Sequence, residues 1–131
     1  MPRNDTIPGS PEDWLTRAKS SLSLSKIEKP DDVFYEDLCF HAQQAVEKAL
    51  KAVCVKNNIK FRLVHDIGEL IETLSKNGIE IKDAIREATT MTEYAVEFRY
   101  PGTYEPLSEN EYKKSIEIAE KVVKWANHLS K

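Results

Sequence analysis

Arg99, Tyr100 and Tyr104 stand within six residues of one another, in Arg99-Tyr100-Pro101-Gly102-Thr103-Tyr104. A guanidinium flanked by phenols suits an anion, because its planar fork matches carboxylate or phosphate and the phenols add donors. Helical periodicity puts Arg99 within ~20° of Ile81 and Ala88, on the buried side of its helix. A guanidinium there is costly unless it is paired or led to solvent. Two accounts are open: Arg99 bonds the free carbonyls of its own last turn, or it lines a cleft with Tyr100 and Tyr104. His41, Gln44 and Lys48 form a second group, one polar edge at i, i+3 and i+7. That edge either hydrogen-bonds a neighbouring element or holds the base and phosphate of a nucleotide. His65-Asp66 reads as a helix start capped by Asp66; it shares only its letters with a metal-binding His-Asp dyad.

Other chemistries lack their residues. His41, His65 and His128 show no HxxxH or HExxH spacing, and there is no CxxC, so no metal site is expected. Cys39 and Cys54 fall on one expected helix, separated by ~22 Å of rise, too far for a disulfide. GxxxxGK[ST], GxGxxG and GxSxG are absent, and no cofactor is implied. With 131 residues, 40% hydrophobic and 31% charged, the chain reads as one globular domain. It contains no apolar run of the ~18 residues a membrane span needs, and the start lacks a secretory h-region. A cytoplasmic protein is therefore expected. The net charge of −3 gives no overall pull toward nucleic acid, though a local basic cleft is compatible with it.

The elements that must position these residues are helices. Ser10-Pro11-Glu12-Asp13 opens the first, with Trp14, Leu15, Ala18 and Leu22 inward, and Ser20 to Pro30 reads as a loop. A central helix is expected from Phe34 to Val55, its inward stripe being Phe34, Leu38, Ala42, Ala45, Ala49, Ala52 and Val53. Asn57-Asn58 ends it. Asp66 caps a short third helix carrying Ile67, Leu70, Ile71 and Leu74, stopped by Asn77-Gly78. A fourth should span Ile81 to Phe98 with Ile81, Ala84, Ile85, Ala88, Met91 and Ala95 inward, broken by Pro101-Gly102. Ser108 and Glu111 form a capping box for a last helix reaching Leu129. The expectation is an all-α, up-and-down bundle of four long helices plus one short helix.

The last helix has more apolar surface than one neighbour needs. Tyr112, Ile116, Ala119, Val123 and Ala126 make one stripe; Ile118, Val122, Trp125 and Leu129 make a second, ~100° away. Either the helix is wedged between two neighbours in one subunit, or the second stripe is a homodimer face anchored by Trp125.

Three stretches together resemble the HEPN ("higher eukaryotes and prokaryotes nucleotide-binding") family: Cys39 to Ala52, Val64-His65-Asp66-Ile67, and Arg99-Tyr100-Pro101-Gly102. The likeness extends from Trp14 to Leu129, giving a flexible N-terminus over 1–9 and a single helical domain over 10–131. It implies a helical bundle, often a homodimer, similar to the C-terminal domain of aminoglycoside nucleotidyltransferases. It also implies frequent pairing with a separately encoded minimal nucleotidyltransferase, commonly as a toxin–antitoxin couple. Many members are metal-independent ribonucleases that use Arg, four to six residues, then His; arginine steadies the phosphate and histidine moves the proton. This chain departs there, because Tyr104, Glu105 and Pro106 fill the histidine's window. A phenol of pKa near 10 is a poor base at neutral pH, whereas an imidazole near 6.5 suits the task. The implied function is a HEPN binding or regulatory protein paired with a nucleotidyltransferase, with nucleotide or RNA phosphate held near Arg99. The alternative is a ribonuclease toxin using Arg99 as a catalytic group, with Tyr104 or with a histidine brought in from elsewhere.

Overall fold

In the computed structural model, residues 7–62, 66–94 and 106–130 are described. Five α-helices follow in order: α1 Pro11–Ser25, α2 Tyr35–Lys56, α3 Ile67–Lys76, α4 Asp83–Arg86 and α5 Glu109–Leu129, with a 3₁₀ segment Glu87–Tyr94 between the last two. There is no strand among the described residues. The fold is all-α. Helices α1 and α2 are antiparallel, since Trp14 meets Lys51 while Ser21 meets Lys48. Helix α5 starts where α1 ends: the Tyr112 hydroxyl donates to the Ser25 carbonyl at 2.6 Å, and Tyr35 packs on the Tyr112 ring.

Helix α2 is the axis of the core. Leu38, Ala42, Ala45, Ala49, Ala52 and Val53 are buried as the alanine stripe requires, but so are Cys39, Val46, Leu50 and Cys54, which widen the stripe along one flank. Helix α2 packs on α1, α5, α3 and the 3₁₀ segment, and this enclosure by four neighbours is why its apolar surface is wider than one stripe. Phe34 departs from the expected stripe. It is the N-cap of α2, in extended conformation, and is 68% exposed.

Two of the expected ends are reproduced in detail. Asn57 caps α2 and Asn58 turns left-handed at φ 57°, so that Ile59 N–H reaches Cys54 O and Asn58 N–H reaches Val55 O. Asn77 and Gly78 repeat this at the end of α3, with Ile79 N–H to Leu74 O and Gly78 N–H to Ser75 O. These are matching Schellman closures. Ser10, Asp66 and Ser108 each accept from the backbone N–H three residues on, as expected of N-caps.

Two expectations are corrected. Helix α1 does not loosen at Ser20 but continues to Ser25, because Ser21 and Ser25 are buried and bonded: Lys48 Nζ donates to Ser21 Oγ, and Ser25 Oγ to Leu22 O. The expected long fourth helix is, over its described part, one α-turn followed by 3₁₀ turns. Thr89 and Thr90 disfavour α-helix by β-branching, and Thr90 Oγ1 donates to Glu87 O three residues back. With three residues per turn the inward positions fall every third residue. Ile85, Ala88 and Met91 are accordingly buried, whereas Ala84 is exposed and Ile81 lies before the helix. Ala95 lies outside the described residues.

Candidate functional site

Helix α2 carries the polar edge singled out by its spacing. His41, Gln44 and Lys48 are each half-buried, spread over ~60° of the helix surface. Lys48 Nζ donates to Ser21 Oγ at 2.8 Å, which sets this edge against α1. Burial, then the nearby Arg17, hold the Lys48 ammonium below the usual lysine range; Lys51 acts the same way and Glu47 opposes it. One turn further along, Lys51 lies with Nζ 5.4 Å from the Trp14 ring centre and 6.0 Å from that of Phe61. The two rings meet edge-on at 6.5 Å. Arg17 Nε donates to Asp13 Oδ1 at 3.1 Å on the α1 side.

A second polar row has no counterpart among the residues singled out from the sequence. Glu36, Gln43 and Glu47 are buried on one face of α2, within ~40° of one another. Gln43 is 2% exposed and its Oε1 has no hydrogen-bond partner among the described residues. The signal available was an i, i+7, i+11 recurrence of acid, amide and acid, masked by the stronger alanine pattern on the opposite side. Arg99, Tyr100 and Tyr104 lie outside the described residues, as does His65. Among the described residues, no group of three His, Cys, Asp or Glu side chains is placed to hold a metal ion.

The second apolar stripe of α5 divides. Ile118 and Val122 are buried within the chain, which takes them out of any face offered to a second copy. Trp125 is half-buried and Leu129 is 37% exposed. They line a concavity of about 340 Å³ together with Ile79, Asn57 and His128, where the closing turns of α2 and α3 meet the end of α5.

The HEPN domain family model matches residues 11–129, from the first residue of α1 to the last of α5. The chain belongs to the HEPN family. A HEPN relative in backbone as well as sequence is the archaeal HEPN homologue ST0689, whose crystal structure superposes with a TM-score of 0.74 at 26% identity, covering 93% of this chain and 98% of that one. The protein named "Putative toxin MJ1304", from Methanocaldococcus jannaschii, is 32% identical over 97 residues. That match takes in 70% of this chain but 63% of the relative, so this HEPN chain spans under two thirds of that protein's length. Among the described residues of the HEPN domain, no helix is long and apolar enough to cross a membrane.

Proposed function

We propose that this HEPN chain is the binding and regulatory member of a toxin–antitoxin-like pair, its partner a separately encoded minimal nucleotidyltransferase, and that Arg99 holds a phosphate of nucleotide or RNA. The observation that carries this reading is the filling of the histidine window by Tyr104, Glu105 and Pro106. An arginine without a neighbouring base near neutral pKa can bind and orient a phosphodiester but lacks efficient proton transfer. HEPN membership and the name of the M. jannaschii relative support a toxin-like setting. The surface left by Trp125 and Leu129 is where a second copy would seat in the homodimer this reading includes.

That same name favours a second reading, a metal-independent ribonuclease toxin using Arg99 with Tyr104. An RNA-cleavage assay with EDTA present, on the chain and its Arg99→Ala variant, decides between them. Binding without cleavage is expected; cleavage that depends on Arg99 would overturn the first reading in favour of the second. Calorimetry against a co-encoded nucleotidyltransferase tests the pairing, and absence of binding removes it.

A further inference from the structure

The chain turns from α to 3₁₀ at Glu87 and keeps that form for eight residues, Glu87–Tyr94. Runs of more than about three or four 3₁₀ residues are uncommon, because the hydrogen bonds are poorly aligned and side chains eclipse. Surface contacts do little to hold this one. Glu87 pairs with Lys114 at 3.5 Å and Arg86 with Glu72 at 3.2 Å, but all four side chains are more than a third exposed, which makes both pairs weak. The grip comes from Ala88 and Met91, fully buried where the segment packs on α2, α3 and α5. These anchors suit two backbones. At three residues per turn, Ile85, Ala88 and Met91 stack in one line. In an α-helix they stay within ~120° of one another, on the stripe that Ile81 and Ala84 extend. The two forms differ at Ala84, which is exposed here and would face inward on the α stripe.

We propose that Glu87–Tyr94 is a two-state helical segment, resting as 3₁₀ and convertible to α without loss of its core contacts. Thr89 and Thr90 set the resting form: β-branching disfavours α-helix, and Thr90 Oγ1 closes onto Glu87 O. Conversion over the whole segment shortens it by ~4 Å and turns its far end by ~160°. Arg99 follows Tyr94 by five positions in sequence, so the form adopted sets how the Arg99 stretch is presented. A ligand bound there shifts the balance by the difference between its affinities for the two forms. This consequence rests on the phosphate-binding role proposed for Arg99. The two-state segment itself does not.

The test is NMR coupling through hydrogen bonds in the full chain, which identifies the carbonyl that each amide pairs with. In the parent, Met91 N–H should couple to Ala88 C=O. In Thr89→Ala/Thr90→Ala, which raises α propensity, it should couple to Glu87 C=O instead. Adding Ala84→Glu should restore the Ala88 coupling, since glutamate is a good helix former and opposes the α form only by facing the core there. Circular dichroism melts check that each variant is folded. The proposal falls if the parent already shows α pairing, if the double variant keeps 3₁₀ pairing, or if Ala84→Glu does not reverse it. Titration with 5′-AMP then compares the double and triple variants, whose affinities should differ about fivefold or more. Equal affinities overturn the link from the segment to Arg99. Absence of AMP binding in parent and variants alike counts against the phosphate role of Arg99, while the couplings still decide the segment.

Discussion

The Tyr112 hydroxyl donates to the Ser25 carbonyl across 2.6 Å, joining the first turn of α5 to the last residue of α1 over 87 positions of chain. The Tyr35 ring lies 5.1 Å away, centre to centre, so the phenol is gripped by packing as well as by its bond. Tyr112→Phe keeps the ring and removes the donor, leaving the carbonyl of Ser25 to find another partner. A destabilisation of about 0.5–1.5 kcal/mol is expected, read as a shift of the urea midpoint at constant slope.

The same bond has a pH signature. Burial first, then the neighbouring Cys39 and Tyr35, raise the Tyr112 pKa above the ordinary tyrosine value, with Lys26 opposing. A raised folded-state pKa means that the neutral phenol's contribution is fully present below the unfolded value near ~10 and is lost as pH rises through the folded one. The stability difference between the parent chain and Tyr112→Phe should thus be constant from neutral pH to about 10 and shrink above it. A difference that changed between pH 6 and 9 would contradict this assignment.

Burial pushes the Cys54 thiol up to about 11, against a weaker opposing effect of Lys51. Since the thiolate is the reactive form, Cys54 should be inert to a disulfide reagent at pH 8 in the folded chain. Cys39 is equally enclosed. Both thiols should titrate only in denaturant, at the rate of unfolding, and fast native-state labelling of either would show that α2 is less enclosed than its packing implies.

The paired ends of α2 and α3 offer a controlled comparison. Asn58 and Gly78 occupy equivalent left-handed positions, at φ 57° and 88°. Only Gly adopts that conformation without cost, and a Cβ at Gly78 would meet nothing within 4 Å. Asn58→Gly should therefore stabilise by a few tenths to about 1 kcal/mol, and Gly78→Ala should destabilise by about 1 kcal/mol, for purely conformational reasons. Thermal melts of the two variants, shifting in opposite directions, would establish this.

These closures were legible because Asn-Asn-Ile and Asn-Gly-Ile follow helical runs directly, and the chemistry of a left-handed residue is local. The capping box at Ser108 was legible for the same reason. The form of the segment after Ile81 was not: apolar spacing suggests an α-helix there, and the preference of Thr89 and Thr90 for a tighter turn is a weak signal beside it. The length of α1 was also hidden, since Ser21 and Ser25 become helical through α2 and α5, which lie far off in sequence. In the same way, the row His41, Gln44, Lys48 was visible from spacing alone. That Lys48 meets Ser21, and Lys51 the Trp14–Phe61 pair, depends on how α1 crosses α2, which no local pattern encodes. The width of apolar surface on α5 was readable, but not that this chain itself covers Ile118 and Val122.

Arg99 and Tyr104 lead to the last prediction. In the proposed reading, the Arg99 segment lacks a group that exchanges a proton near neutral pH, and Tyr104 occupies the first position where the family pattern would place it. Tyr104→His supplies an imidazole with unperturbed pKa near 6.5 at that position. If Arg99 already orients a phosphate, this single change should raise metal-independent RNA cleavage by ~10²-fold or more, the ordinary contribution of a positioned acid or base. The new activity should turn on or off over about pH 5.5–7.5 and disappear in Tyr104→His/Arg99→Ala. A Tyr104→His chain that binds RNA as before and cleaves none would mean that residue 104 does not reach the phosphate at Arg99. The phosphate-binding role assigned to Arg99 would then have to be separated from the family's cleavage geometry altogether.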